Sequence, residues 1–131
     1  MPGMPGMPDM TATGNFNPSF LTRSNVPIQV TWINNLPTTG QFLPVDTSIM
    51  MGMGMSSTPM DPSMVPTVVH LHGSHAAAIY DGYPTQTFTQ VGLAPMAGMT
   101  MTSSDTYTYD NTQQGAMIWY HDHTLGYTRT N

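Results

Sequence analysis

Four of the five histidines stand in two identical spacings, His70-Leu71-His72 and His121-Asp122-His123. Imidazole is among the commonest side-chain ligands of transition metals, and at neutral pH it readily offers an unprotonated nitrogen. On a β-strand, side chains at i and i+2 share a face with their Cα atoms roughly 6.5 to 7 Å apart, so each pair can converge on one ion or hold two neighbouring ions. If the two strands are neighbours, four imidazoles meet on one surface, a set suited to copper, zinc, nickel or iron. The competing reading of one such pair is two surface histidines on an edge strand. Two pairs, each beside aromatic or apolar strand residues, weaken that reading. Asp122 lies between two ligand positions and faces the other way, so it reads as a hydrogen-bond acceptor supporting the site rather than as a ligand. His75, past Gly73 in a loop, reads as a surface residue.

The elements that must position these histidines can be read from alternation. Val26 to Asn34 places Ile28, Val30 and Trp32 on one face and Gln29, Thr31 and Ile33 on the other, and ends at the turn signal Asn34-Asn35-Leu36-Pro37. Val65 to His72 is a second strand, with Val69 and Leu71 opposite Val68, His70 and His72, and Gly73 ends it. Ser74 to Met101 reads as connection, with turns at Asp81-Gly82 and Tyr83-Pro84. Strand character returns over Asp105 to Asn111 and again over Ala116 to His123, after the Gln114-Gly115 turn. Four strands separated by turn signals predict part of a Greek-key sandwich or barrel.

Composition agrees. At 131 residues the chain is one domain at most, and its 12 glycines and 12 prolines, with no lysine and no glutamate, favour strands and turns over helices. The net charge of -5 comes from seven aspartates against Arg23 and Arg129, which excludes phosphate neutralisation and so nucleic-acid binding as a main function. No apolar run approaches the roughly 20 residues of a membrane span. The start lacks a basic region followed by an apolar one, so no secretory signal is expected. The absence of cysteine excludes disulfides, thiolate nucleophiles and sulfur ligands from that residue.

Fourteen methionines fall in clusters rather than on a periodic face. One lies in residues 1 to 25, a Met/Pro/Gly-rich stretch expected to be flexible. A second, Met50, Met51, Met53, Met55, Met60 and Met64, lies in residues 38 to 64, which read as a long inserted loop. Met96, Met99 and Met101 form a third. Thioether sulfur favours Cu(I), and spacings such as Met4, Met7, Met10 or Met51, Met53, Met55 would let a loop wrap a cuprous ion. A low-complexity tract without a ligand is the other reading.

The segments Val68-Val69-His70-Leu71-His72-Gly73 with Asp81-Gly82-Tyr83-Pro84, and Ile118-Trp119-Tyr120-His121-Asp122-His123 with Leu125-Gly126 and Thr128-Arg129, resemble the first cupredoxin domain of multicopper oxidases, nearest to bacterial spore-coat laccases and bilirubin oxidases. The resemblance spans 65 to 131 and, more weakly, 26 to 37. It implies an all-β, cupredoxin-like Greek-key sandwich over 26 to 131, incomplete at its carboxyl edge because the family's domain continues into a further strand. It implies His70 as a type 2 copper ligand and His72, His121 and His123 as type 3 ligands. It also implies Asp81 beside the oxygen and water channel, where it would assist proton delivery. By itself, Asp81 is equally a turn residue.

The remaining ligands and the type 1 copper would come from the other cupredoxin domains, since a type 1 site needs a thiolate. The implied activity is oxidation of phenols or Cu(I) coupled to reduction of O2 to water, in the periplasm or outside the cell, with this chain alone inactive. Two further readings stand beside it: a free-standing copper carrier or scavenger, and a structural β domain holding zinc through the same histidines.

Overall fold

The computed structural model describes residues 18–46, 63–93 and 102–131. Four strands account for its regular structure: β1 (Ile28–Ile33), β2 (Val69–His72), β3 (Ser104–Tyr109) and β4 (Trp119–Asp122), with one 3-10 turn at Ala78–Tyr80. The all-β expectation is met. β1 pairs antiparallel with β3, and β2 pairs antiparallel with β4, so consecutive strands lie in different sheets and every connection crosses between them.

The alternation in β1 does what its sequence requires. Ile28, Val30 and Trp32 are half-buried while Gln29, Thr31 and Ile33 face out. Across the ladder, Ile28 stands opposite Tyr109 and Val30 opposite Tyr107, while Thr31 and Thr106 share a 2.8 Å hydroxyl hydrogen bond on the outer face. Phe88, Tyr107 and Tyr109 form the buried centre, with Ile28, Val30, Trp32, Leu71, Ala76 and Tyr80 packed against it. Leu71 is the contribution of β2, and it fixes which face of that strand remains for the histidines.

Each strand is shorter than its alternation predicts, for local reasons. Pro27 has no N–H to give β1, and Asn111, at φ 54°, turns the chain after β3. Before β2, the Val65 N–H donates to the Gln90 side chain and Pro66 again lacks a donor, so only the isolated bridge Thr67–Phe88 precedes the ladder. Asn34 and Gln90 are buried polar hubs. Asn34 Nδ2 donates to the carbonyls of Val65 and Phe88 at 2.8 and 2.9 Å, and Gln90 Nε2 donates to those of Pro37 and Ser63.

Of residues 1 to 25, the described part carries no strand, yet Phe20 packs edge-on to Trp32 and Tyr120, and the Tyr120 hydroxyl donates to the Pro18 carbonyl. These contacts line one wall of an apolar cleft of about 890 Å³ between the two sheets. Met64 is buried in the core, and Met117 is fully exposed. The other methionines lie outside the described residues.

Candidate metal centre

The register of β2 on β4 sets His70 directly opposite His121 and His72 opposite Trp119. His123 follows the strand, and its N–H donates to the Val68 carbonyl at 2.8 Å, which keeps it on the same ladder. Leu71 belongs to the core, so the face bearing His70, His72, His121 and His123 is turned away from it. The imidazoles cluster: ring centroids are 5.7 Å apart for His70–His72, 5.4 Å for His70–His121, 5.0 Å for His70–His123 and 5.7 Å for His121–His123. One ligand atom from each of His70, His72 and His121 lies within 4.8 Å of the others. His123 is outside that trio and stacks on His70.

Three of the rings are oriented through Nδ1 by backbone carbonyls. His70 donates to the Asp81 carbonyl at 2.5 Å, His123 to that of Gly82 at 3.1 Å, and His121 to that of Asp122 at 2.7 Å. A carbonyl oxygen only accepts, so the proton sits on Nδ1 and Nε2 carries an unprotonated lone pair of the kind that ligates metals. His72 differs, because its Nδ1 lies 3.4 Å from His121 Nε2 instead. Three imidazoles are thus oriented by backbone carbonyls and the fourth by a neighbouring imidazole.

The Asp81-Gly82 turn follows the 3-10 turn and rests on the β2 backbone. A Cβ at position 82 would stand 2.1 Å from the Val69 carbonyl oxygen, and φ there is +77°, so only glycine brings both carbonyls to the histidines. The Asp81 carboxylate lies 3.4 Å from His70 Nδ1 and is 43% exposed, against 20% for His70. Asp122 behaves as its position predicts: Oδ1 accepts from the Val68 N–H and the Thr124 hydroxyl, and Oδ2 from the Thr124 N–H. His75 is exposed and bonded to Thr112, apart from the cluster.

Behind the site, Trp32 Nε1 donates to the Tyr109 hydroxyl at 3.1 Å. Burial pushes the Tyr109 hydroxyl pKa up and raises that of Tyr107 to about 12, with the Asp105 charge adding to the second.

Two contributors went unread in the sequence. One is the pair of carbonyls on the Asp81-Gly82 turn, which a sequence cannot aim. The other is Trp119, whose indole lies 4.3 Å from the His121 ring and 5.3 Å from that of His72. Its place two residues before His121 was the available signal, since the period of two puts it on the same face.

No family model matches the chain. It is 37% identical over 118 residues to a laccase of Bacillus subtilis, covering 87% of this chain and 21% of that protein. It is 42% identical over 115 residues to multicopper oxidase LPR1 homolog 3 of Oryza sativa, covering 87% and 20%. It is 36% identical over 66 residues to a bilirubin oxidase of Albifimbria verrucaria, covering 50% and 10%. The chain thus spans about a fifth of the length of the first two of these relatives.

Proposed function

The chain is a homologue of the multicopper oxidases over 87% of its length, and from that premise we propose that it supplies half the histidine ligands of a trinuclear copper centre. The observation that carries the reading is the convergence of His70, His72 and His121 on one face, with His123 stacked beside them. The donor set fits copper, being imidazoles of which three have Nδ1 held by carbonyls, which leaves Nε2 unprotonated.

In this reading His70 holds the type 2 ion through Nε2, while His72, His121 and His123 serve the type 3 pair. His72 would contribute a ring nitrogen from beside His121, whose Nε2 lies 3.4 Å from His72 Nδ1. Copper, when bound, supplies one-electron redox chemistry. The 131 residues contain no cysteine, so the type 1 site and the other ligands belong to the remaining cupredoxin domains. The overall reaction takes four electrons from phenols or Cu(I) and four protons from solvent, and turns O2 into two waters. Asp81 would serve the protons in this reading, which its partly exposed carboxylate 3.4 Å from His70 Nδ1 supports. Function in the periplasm or outside the cell belongs to the same reading. Among the described residues, no helix is long and apolar enough to cross a membrane.

The test is reconstitution. The copper-loaded chain is mixed with the remaining domains of a related laccase, and phenol oxidation is followed with O2 uptake. Activity is expected only in the mixture, and not when His70→Ala replaces the parent chain. Tight, stoichiometric copper with no gain on mixing would overturn the half-centre and favour the free-standing carrier.

A further inference from the structure

Trp119 is 60% exposed, yet its indole is not idle in solvent. It stands opposite His72 in the β2–β4 register and two residues before His121 on its own strand. The indole lies nearly parallel to the His72 ring, at 20° and 5.3 Å, and tilted by 33° against the His121 ring at 4.3 Å. His70, His121 and His123 are each oriented by a carbonyl on Nδ1, and His72 is not. In place of a carbonyl, His72 Nδ1 has His121 Nε2 at 3.4 Å, and the stack on Trp119 is the further contact that sets its ring plane.

We propose that Trp119 is a positioning residue, an aromatic clamp that fixes the ring planes of His72 and His121 and strengthens their hold on a metal cation. The inference rests on the copper reading above. Two physical effects act together. Holding the rings before the ion arrives removes rotamer freedom that binding would otherwise have to remove. Once an ion is bound, its charge spreads onto the imidazoles, and the negative face of the indole attracts them as it attracts any nearby cation. Neither effect requires Trp119 to touch the ion.

Two variants separate the clamp from ordinary packing. Trp119→Phe keeps an aromatic face, and Trp119→Leu keeps apolar bulk without one. In the metal-free chain, the imidazole C–H protons of His72 and His121 should be shifted upfield in NMR spectra by the indole ring current, and Trp119→Leu should abolish the shift. Calorimetric titration with Cu(II) should show affinity about fivefold weaker in Trp119→Leu, and within about twofold of the parent in Trp119→Phe. The thermal midpoints of the metal-free variants control for folding.

Absence of the ring-current shift in the parent would overturn the stacking. Parent-like affinity in Trp119→Leu would overturn the clamp alone and leave the copper reading intact. A parent chain that shows the ring currents and takes up no Cu(II) would remove the copper reading, and the clamp with it.

Discussion

A methyl group is enough to test how the histidines are held. In Gly82→Ala the new Cβ would stand 2.1 Å from the Val69 carbonyl oxygen at a φ of +77°, so the turn must lift off β2. We expect a loss of about 2 to 4 kcal/mol, read as a lowered denaturation midpoint. The His123 imidazole should lose its Gly82 carbonyl partner in the same variant, visible as a changed ring tautomer by NMR. Asp122 gives a second test of the same kind. Its carboxylate accepts from Val68, the Thr124 backbone and the Thr124 hydroxyl, so Asp122→Ala leaves donors unpaired and should cost about 2 kcal/mol in urea denaturation. The shared face of the histidines and the opposite face of Asp122 were legible in the sequence because a period of two assigns faces without further knowledge. The carbonyls of Asp81 and Gly82 were not legible, because backbone groups carry no sequence signal of where they point.

Polar hubs rather than long ladders tie the strands to the connections around them. Asn34 is buried, and its amide donates to two carbonyls from segments that flank β2, so Asn34→Ala should destabilise the chain by about 2 to 3 kcal/mol in denaturant titration. A pH experiment addresses the β1–β3 pair. The Tyr107 hydroxyl has its pKa raised from 10.0 to about 12 by burial, so the folded chain keeps that proton over a range in which the unfolded chain releases it. The stability from this group is whole below pH 10 and is lost as pH rises toward 12, a decline on the order of 2 kcal/mol. Burial raises the Tyr109, Tyr120 and Tyr127 hydroxyls as well, so Tyr107→Phe should lessen the decline without abolishing it, and a parent chain with flat stability over this range would contradict it. The four strands were legible as alternation, and their ends were less so. Val65 was expected to open β2, but a side-chain acceptor from Gln90 captures its N–H, a contact 25 residues away that no local pattern announces.

For the whole chain, the decisive fact is that two histidine pairs far apart in sequence become neighbours. The sequence makes each pair legible and makes the all-β class legible through composition and turns. It does not contain the β2–β4 register, which depends on how both sheets share one core around Phe88, Tyr107 and Tyr109. That register turns two surface-compatible motifs into one cluster of imidazoles. Relatives that match 87% of the chain are named laccase and multicopper oxidase. The account therefore stands or falls on copper at these side chains. The most direct measurement is electron paramagnetic resonance of the chain titrated with Cu(II), beside variants carrying His121→Ala with His123→Ala, and His75→Ala. Nitrogen hyperfine structure from several imidazoles, lost in the double variant and unchanged in His75→Ala, is the predicted result. A spectrum unaltered by the double replacement would contradict the account.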